Sequence, residues 1–332
     1  MFPRLTRRRF IGITAAAAGL SLVPFGRAAW AEAHMVTWRG QAMGAVASLQ
    51  VHHHDRTIAE SLVERSLAEV RRLEQVFSLY RADSDLTALN RQGVLVAPPA
   101  ELVELLGECR RCWELTGGAF DPTVQALWIL YRDHFSRPGA DPDGPPEPAL
   151  REALARVGFD RVTFDANRIA LPRRGMGLTL NGVAQGYVTD RVVGILRAGG
   201  IDNSLVDMGE PRAMGSRPSG GPWRIGITDP LHPDRIGETL NVLDQAVATS
   251  GAYGFRFDAA GRFNHLLDPR TGTSARLYRS VTTVMPSATA ADALSTAFSL
   301  MPVAAIIRTL RHLGKGQVRL TTETGKAIAL TS

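Results

Sequence analysis

The chain has 332 residues, 45% of them hydrophobic, with 38 Lys and Arg against 32 Asp and Glu for a formal charge of +6. Five of the arginines (Arg4, Arg7, Arg8, Arg9 and Arg27) fall in the first 31 residues, where there is no acid, leaving 33 basic against 32 acidic residues beyond them. That near-neutral balance excludes a broadly basic nucleic-acid-binding surface, while about 300 residues of this apolarity can bury one large core or two modest ones.

Residues 1–31 read as a twin-arginine signal peptide. Thr6-Arg7-Arg8-Arg9-Phe10-Ile11 carries the arginine pattern, 11–23 is uncharged and mildly apolar, and Ala29-Trp30-Ala31 fits a small-residue cleavage site. The apolar stretch is shorter than the roughly 20 residues a bilayer span needs, and no later segment replaces it. The expectation is a single domain over 32–332, exported folded to the periplasm, with no transmembrane span of its own.

Residues 36–51 alternate as one or two strands broken at Met43-Gly44. His52-His53-His54 follows, but on a strand successive rings face opposite ways, so the trio reads as an exposed strand end rather than a metal site. Ile58, Leu62, Val63, Leu67, Val70, Leu73 and Phe77 form a helical stripe, and a second helix is expected over 101–115. The latter holds the only cysteines, Cys109 and Cys112, one turn apart. A redox pair or half a zinc site would fit C-x-x-C, yet the motif does not open a helix after a strand and has no second pair, so packing thiols are the better reading.

Gly117-Gly118 ends that helix, and Asp121-Pro122 makes an N-cap and first position for the next. The proline-rich run 136–148 cannot continue a helix or an inner strand and reads as a surface loop inside one domain. Strands are expected at 162–164, 168–171, 178–180, 203–206, 223–227, 246–248, 263–267, 280–284, 318–321 and 327–330, and helices at 183–198, 289–300 and 303–313. Hairpin-like spacing in the last hundred residues points to antiparallel pairing, hence an α+β fold of mixed, largely antiparallel sheets flanked by helices.

Three segments could carry chemistry. Leu180-Asn181-Gly182-Val183-Ala184-Gln185-Gly186-Tyr187 runs from a strand through a glycine turn into a helix. Glycine permits close backbone approach to a ligand and a new helix offers free N–H groups to an anion, although ordinary strand-to-helix punctuation gives the same string. His265, Asp268 and Arg270 share one strand-turn unit, 264–272, and Asp292 and Thr296 follow at helical i,i+4 spacing. A carboxylate and a hydroxyl on one helix face suit Mg²⁺ or Ca²⁺ rather than zinc, while capping after Ser287 would equally account for an early Asp. A Rossmann G-x-G-x-x-G, a Walker loop and a G-x-S-x-G elbow around Ser250 are all missing.

Assembled in order, these pieces resemble the ApbE family, the FAD:protein FMN transferases. The matching blocks are Met43-Gly44-Ala45, the F-S-x-Y-x-x-D-S-x-L-x-x-L-N pattern from Phe77 to Asn90, and G-A-F-D-P-T from Gly118 to Thr123. They continue with Leu180 to Tyr187, Trp223 to Ile227, Thr249 to Gly251, H-x-x-D-P-x-T-G from His265 to Gly272, and A-D-x-x-x-T from Ala291 to Thr296. The resemblance implies a T-fold-type architecture in which FAD touches Met43, Tyr80, Ala119, Phe120, Asp121 and the Leu267 region. It implies Mg²⁺ held by Asp292, Thr296 and a backbone carbonyl at Gly182, and FMN moved from FAD to a Ser or Thr hydroxyl of an acceptor flavoprotein with release of AMP.

On that basis His265 would relay the acceptor proton and Asp268 would orient either the imidazole or the turn. Thr179 and Gln185 occupy ligand positions where the family usually has Asp and Lys, a swap that preserves net charge. The L-N-G-x-A-Q-G-Y block with a twin-arginine leader resembles the NosX-like subgroup, which implies a NosR-like membrane-bound electron-transfer subunit as acceptor. The same residues would serve a Mg²⁺-dependent FAD pyrophosphatase, with water replacing the acceptor hydroxyl, or a non-catalytic flavin-binding assembly factor.

Overall fold

Residues 35–332, Pro233 excepted, are described by a computed structural model; the leader and cleavage site expected over 1–31 lie outside the described residues. The break at Met43-Gly44 is a two-residue turn joining β1 (Met35–Ala42) to β2 (Ala45–His52), with φ of 50° at Met43 and 78° at Gly44. Positive φ at both positions gives the turn whose twist matches that of its strands. β1 and β2 open an eight-stranded antiparallel sheet that continues through β6 (Asn203–Asp207), β7 (Pro211–Met214), β10 (Ala246–Gly251), β11 (Tyr278–Met285), β12 (Gln317–Thr322) and β13 (Ala327–Thr331). Smaller antiparallel sheets pair β3 (Val94–Val96) and β4 (Thr163–Phe164) with β5 (Arg168–Ala170), and β8 (Trp223–Thr228) with β9 (Ile236–Val242).

The helices are α1 (Arg56–Phe77), α2 (Asp85–Gln92), α3 (Ala100–Leu115), α4 (Gln125–Phe135), α5 (Glu147–Leu154), α6 (Ala184–Ala198), α7 (Ala288–Phe298) and α8 (Val303–Leu313). Asp55 caps α1 by accepting from the N–H groups of Thr57 and Ile58, and the helix turns Leu62, Val70, Leu73 and Phe77 into the main core. α7 lies against β10 and β11 and packs directly on α6, so the helix, buried along most of its length, faces the sheet on one side and a helix on the other. Asp190 of α6 ties the pair together by accepting from Ala288 N and Thr289 N, both at 2.9 Å, and from Thr289 Oγ1 at 2.7 Å. Cys109 and Cys112 are free, buried on α3, and burial pushes both thiols up, as suits packing groups. Among the described residues no helix is long and apolar enough to cross a membrane.

Gly186 is what lets α6 and α7 approach this closely, because a Cβ there would collide with the Ala288 carbonyl. Backbone cannot yield as a side-chain tip can. Gly186→Ala is therefore expected to cost about 1–3 kcal/mol by overpacking, read as a lower denaturation midpoint, whereas Gly194→Ala on the same helix meets nothing within 4 Å and should be tolerated.

Two expected strands are absent. Residues 178–180 join no ladder, because Asn90 takes both peptide groups of Leu178 through its side-chain amide, at 2.7 and 2.8 Å, and Thr179 N donates to Pro122 O. At 263–267 only isolated bridges form. There the Asn264 side chain substitutes for a ladder, donating to Ala275 O and accepting from Leu266 N.

Candidate active site

The i,i+4 spacing on α7 places Asp292 and Thr296 on one helix face, directed at the bend that precedes α6. Contact there is intimate: a Cβ on Gly182 would lie 2.7 Å from Thr296 Oγ1, and Gly186 N donates to Asp292 Oδ2 at 3.0 Å. Gly182 and the Asp292–Thr296 pair, far apart in sequence, are thus brought to one place. Behind them Ser250 of β10 shares hydrogen bonds with Ser295 Oγ at 2.7 Å and Thr296 Oγ1 at 3.4 Å, which fixes the Thr296 side of the helix to the sheet.

These groups line a cavity of about 110 Å³ that also takes Ala119, Phe120, Asp121, Thr179, Gln185, His265 and Leu267. The enclosed space is small beside the ~300–1,000 Å³ typical of ligand sites, so a dinucleotide would extend past the mouth. Asn181, on the lining, donates to Tyr80 Oη at 3.2 Å, which sets the half-exposed Tyr80 beside that mouth. Met43 lies at the β1–β2 turn, its N–H donating to Glu74 Oε1 at 2.6 Å, and is not a lining residue.

Asp268 stands apart from the lining as well. Its carboxylate accepts from Arg270 N, Nε and Nη2 at 2.8–3.0 Å, and Gly272 N donates to its carbonyl. Burial opposes its charge, but the bonds from Arg270 outweigh that and hold the carboxyl below its usual range. Of the two roles open to Asp268, the contacts made are those of the turn.

His265 has a different environment. Its Nδ1 is 3.2 Å from the Phe255 carbonyl, which can only accept, so the proton sits on Nδ1 and Nε2 is left with its lone pair. Burial pushes the imidazole down to about 4 against the pull of that carbonyl, so the ring is neutral at physiological pH. Asp121 is buried and accepts from Thr123 N, Thr123 Oγ1 and Phe159 N, the contacts of an N-cap at the short 3₁₀ turn Pro122–Val124. Burial raises its carboxyl despite those bonds.

The acidic side of the cavity is stronger than the sequence indicated. Glu210 lines it, and its carboxyl is pushed well up by burial first and then by Asp292 and Asp207, with only the Thr249 N–H pulling the other way. Asp207 is pushed up to about 7 by burial, and burial also raises Asp292 against its bond from Gly186. No periodic pattern flags Glu210, because it sits in a hairpin loop that other elements cover. Trp128 of α4 also lines the cavity and stacks on Phe255 at 6.0 Å between ring centroids, a pairing between segments too distant for sequence spacing to register.

Among the described residues no group of three or more His, Cys, Asp or Glu is placed to hold a metal ion, so a cation here would depend on carbonyl and hydroxyl oxygens beside carboxylate. The donor set fits such an ion: a backbone carbonyl at a glycine with no side chain in the way, a hydroxyl and a buried carboxylate are hard oxygens suited to Mg²⁺.

Fold and cavity together define an α+β protein in which hard oxygen donors and an imidazole with a free lone pair line one cavity. The ApbE family pattern matches residues 43–320, and the chain belongs to the ApbE family. It is 35% identical over 248 residues to the FAD:protein FMN transferase of Treponema pallidum, covering 68% of this chain and 67% of that protein. The FAD:protein FMN transferase of Haemophilus influenzae is 30% identical over 303 residues, 86% of this chain and 85% of its own. The flavin transferase ApbE from Vibrio cholerae superposes with a TM-score of 0.75 at 28% identity, covering 90% of this chain and 97% of that one.

Proposed function

We propose that this chain transfers FMN from FAD to a Ser or Thr hydroxyl of an acceptor protein and releases AMP, with Mg²⁺ held by Asp292, Thr296 and the Gly182 carbonyl. The observation that carries this reading is the convergence of those three residues with His265 on one cavity, in a chain whose relatives bear the name FAD:protein FMN transferase. When bound, the cation supplies positive charge that offsets the charge developing on the departing phosphate. Every other part belongs to the chain. His265 Nε2 accepts the proton as the acceptor oxygen bonds to the FMN phosphorus and the bond from that phosphorus to the bridging oxygen breaks, AMP leaving with that oxygen. Ser250 and Ser295 keep the Thr296 hydroxyl in place, and Gly186 N–H aims one oxygen of Asp292. Positioning and electrostatics of this kind supply most of phosphoryl-transfer catalysis.

The test is to combine the purified chain, FAD, Mg²⁺ and an acceptor domain. Covalent flavin fluorescence on the acceptor in a denaturing gel, with AMP released in equal amount, is the expected result. AMP and free FMN formed at the same rate with no acceptor present would favour hydrolysis instead.

We further propose a NosR-like membrane-bound flavoprotein as the acceptor and the periplasm as the place of action. The support is the leader sequence and the L-N-G-x-A-Q-G-Y block. Replacing Arg7 and Arg8 by lysine is expected to keep the protein inside the cytoplasm, seen by immunoblot of cell fractions; unchanged export would contradict the twin-arginine route.

A further inference from the structure

The loop between β6 and β7 is Met208-Gly209-Glu210, and all three residues are buried, Met208 at 0% and Glu210 at 5% exposure. Hairpin loops ordinarily lie on the surface because their polar groups need water. Here Glu210 Oε2 and the nearby Gln185 Nε2 are both buried, and neither finds a hydrogen-bond partner among the described residues. Gly209 presses on the Gln185 amide, since a Cβ there would lie 2.6 Å from Gln185 Cδ, so the loop and the amide are fixed side by side. Both side chains line the cavity.

A carboxylate this deeply buried is costly unless something positive or hydrogen-bearing meets it. Among the described residues the charges that act on Glu210 are Asp292 and Asp207, with no cation, and residue 185 beside it is a neutral Gln. Asp292, another carboxylate on the cavity wall, repels it. A divalent cation bound by the two would relieve both carboxylates at once.

We propose that Glu210 is a second carboxylate for a divalent cation in this cavity, opposite Asp292, and that the neutral side chain of Gln185 is what leaves it available. The proposal rests on the cation in the function proposed above and adds to it a residue and an order of events. With two carboxylates the cavity takes up the metal before FAD arrives. A lysine at position 185 would instead pair with Glu210 and leave Asp292 without a second carboxylate to share the ion, and cation affinity follows the number of charged ligands.

The probe is Mn²⁺ alone, titrated into the purified protein without FAD or acceptor and followed by the electron paramagnetic resonance of the free ion. The wild-type chain should bind it, and Glu210→Gln and Gln185→Lys should each weaken binding by about tenfold or more. Melting without metal separates this from a structural role: Glu210→Gln keeps the shape of a buried carboxyl whose Oε2 has no partner and removes its repulsion with Asp292, so its metal-free Tm should equal or exceed that of the wild type, while the rise in Tm on adding Mn²⁺ shrinks. Binding by Glu210→Gln within about twofold of wild type overturns the proposal; if that variant does not fold, the same result for Gln185→Lys overturns it. Should wild type bind Mn²⁺ only once FAD is present, the proposal fails while the metal-assisted transfer reading stands. Asp292→Ala gives the second distinction, since loss of binding there with none in Glu210→Gln removes only the second carboxylate.

Discussion

Asp292→Asn is expected to reduce FMN transfer by about 10²-fold or more, and Asp292→Ala to abolish it, with covalent flavin fluorescence on the acceptor as the readout. The Asn variant isolates charge from structure. Asp292 is 4% exposed on α7, and its Oδ2 accepts from Gly186 N–H at the start of α6. Alanine leaves that N–H without its acceptor, a loss of about 1–3 kcal/mol that would blur a catalytic defect with a folding one. An amide oxygen can keep the bond, so the helix pair stays joined while the charge that would hold the cation is gone. Near-normal melting with transfer lost is the expected pattern. Transfer within about threefold of wild type in Asp292→Asn would mean that no cation depends on this carboxylate.

His265→Ala is expected to lower the transfer rate by about 10²–10⁴-fold, the range for loss of a positioned base. The pH dependence of this group is itself diagnostic. Its folded pKa, near 4, lies below the ordinary 6.5, so the folded chain keeps the ring neutral while the unfolded chain would protonate it. Stability from this site is fully present above 6.5 and is lost as pH falls through the window from 6.5 to about 4. A base with Nδ1–H fixed on the Phe255 carbonyl thus keeps its Nε2 lone pair through mildly acidic conditions. An NMR titration of the His265 ring should show a midpoint near 4, and a midpoint at 6–7 would contradict the neutral, half-buried imidazole.

The helices that build the site were legible because their signals are local. The stripe from Ile58 to Phe77 specifies α1, and i,i+4 spacing alone puts Asp292 and Thr296 on one face before anything is known of the sheet behind them. What failed was whatever depends on a side chain replacing backbone pairing. The alternation at 263–267 reads as a strand, yet Asn264 satisfies the neighbouring peptides itself. Residues 178–180 are similar, with Asn90 arriving from 88 residues away. α2, only eight residues, is too short to show a stripe, although Ser84 and Gly93 cap it.

The candidate site divides along the same line. Gly182, Asp292, Thr296 and His265 each belong to a recognisable segment, and the fold needs only to bring the segments together. Proximity in sequence left two roles open for Asp268, three residues from His265, and its carboxylate is taken by Arg270, two residues further on. Glu210 gave no signal because its burial depends on what covers the β6–β7 loop, and Trp128 because its aromatic neighbours come from another part of the chain.

The most direct test is anomalous diffraction from crystals soaked with FAD and Mn²⁺. A single strong peak about 2–2.4 Å from the Gly182 carbonyl, the Asp292 carboxylate and the Thr296 hydroxyl, with the dinucleotide phosphates beside it, is the expected result. A peak elsewhere, or FAD bound with its phosphates outside the cavity, would contradict the account.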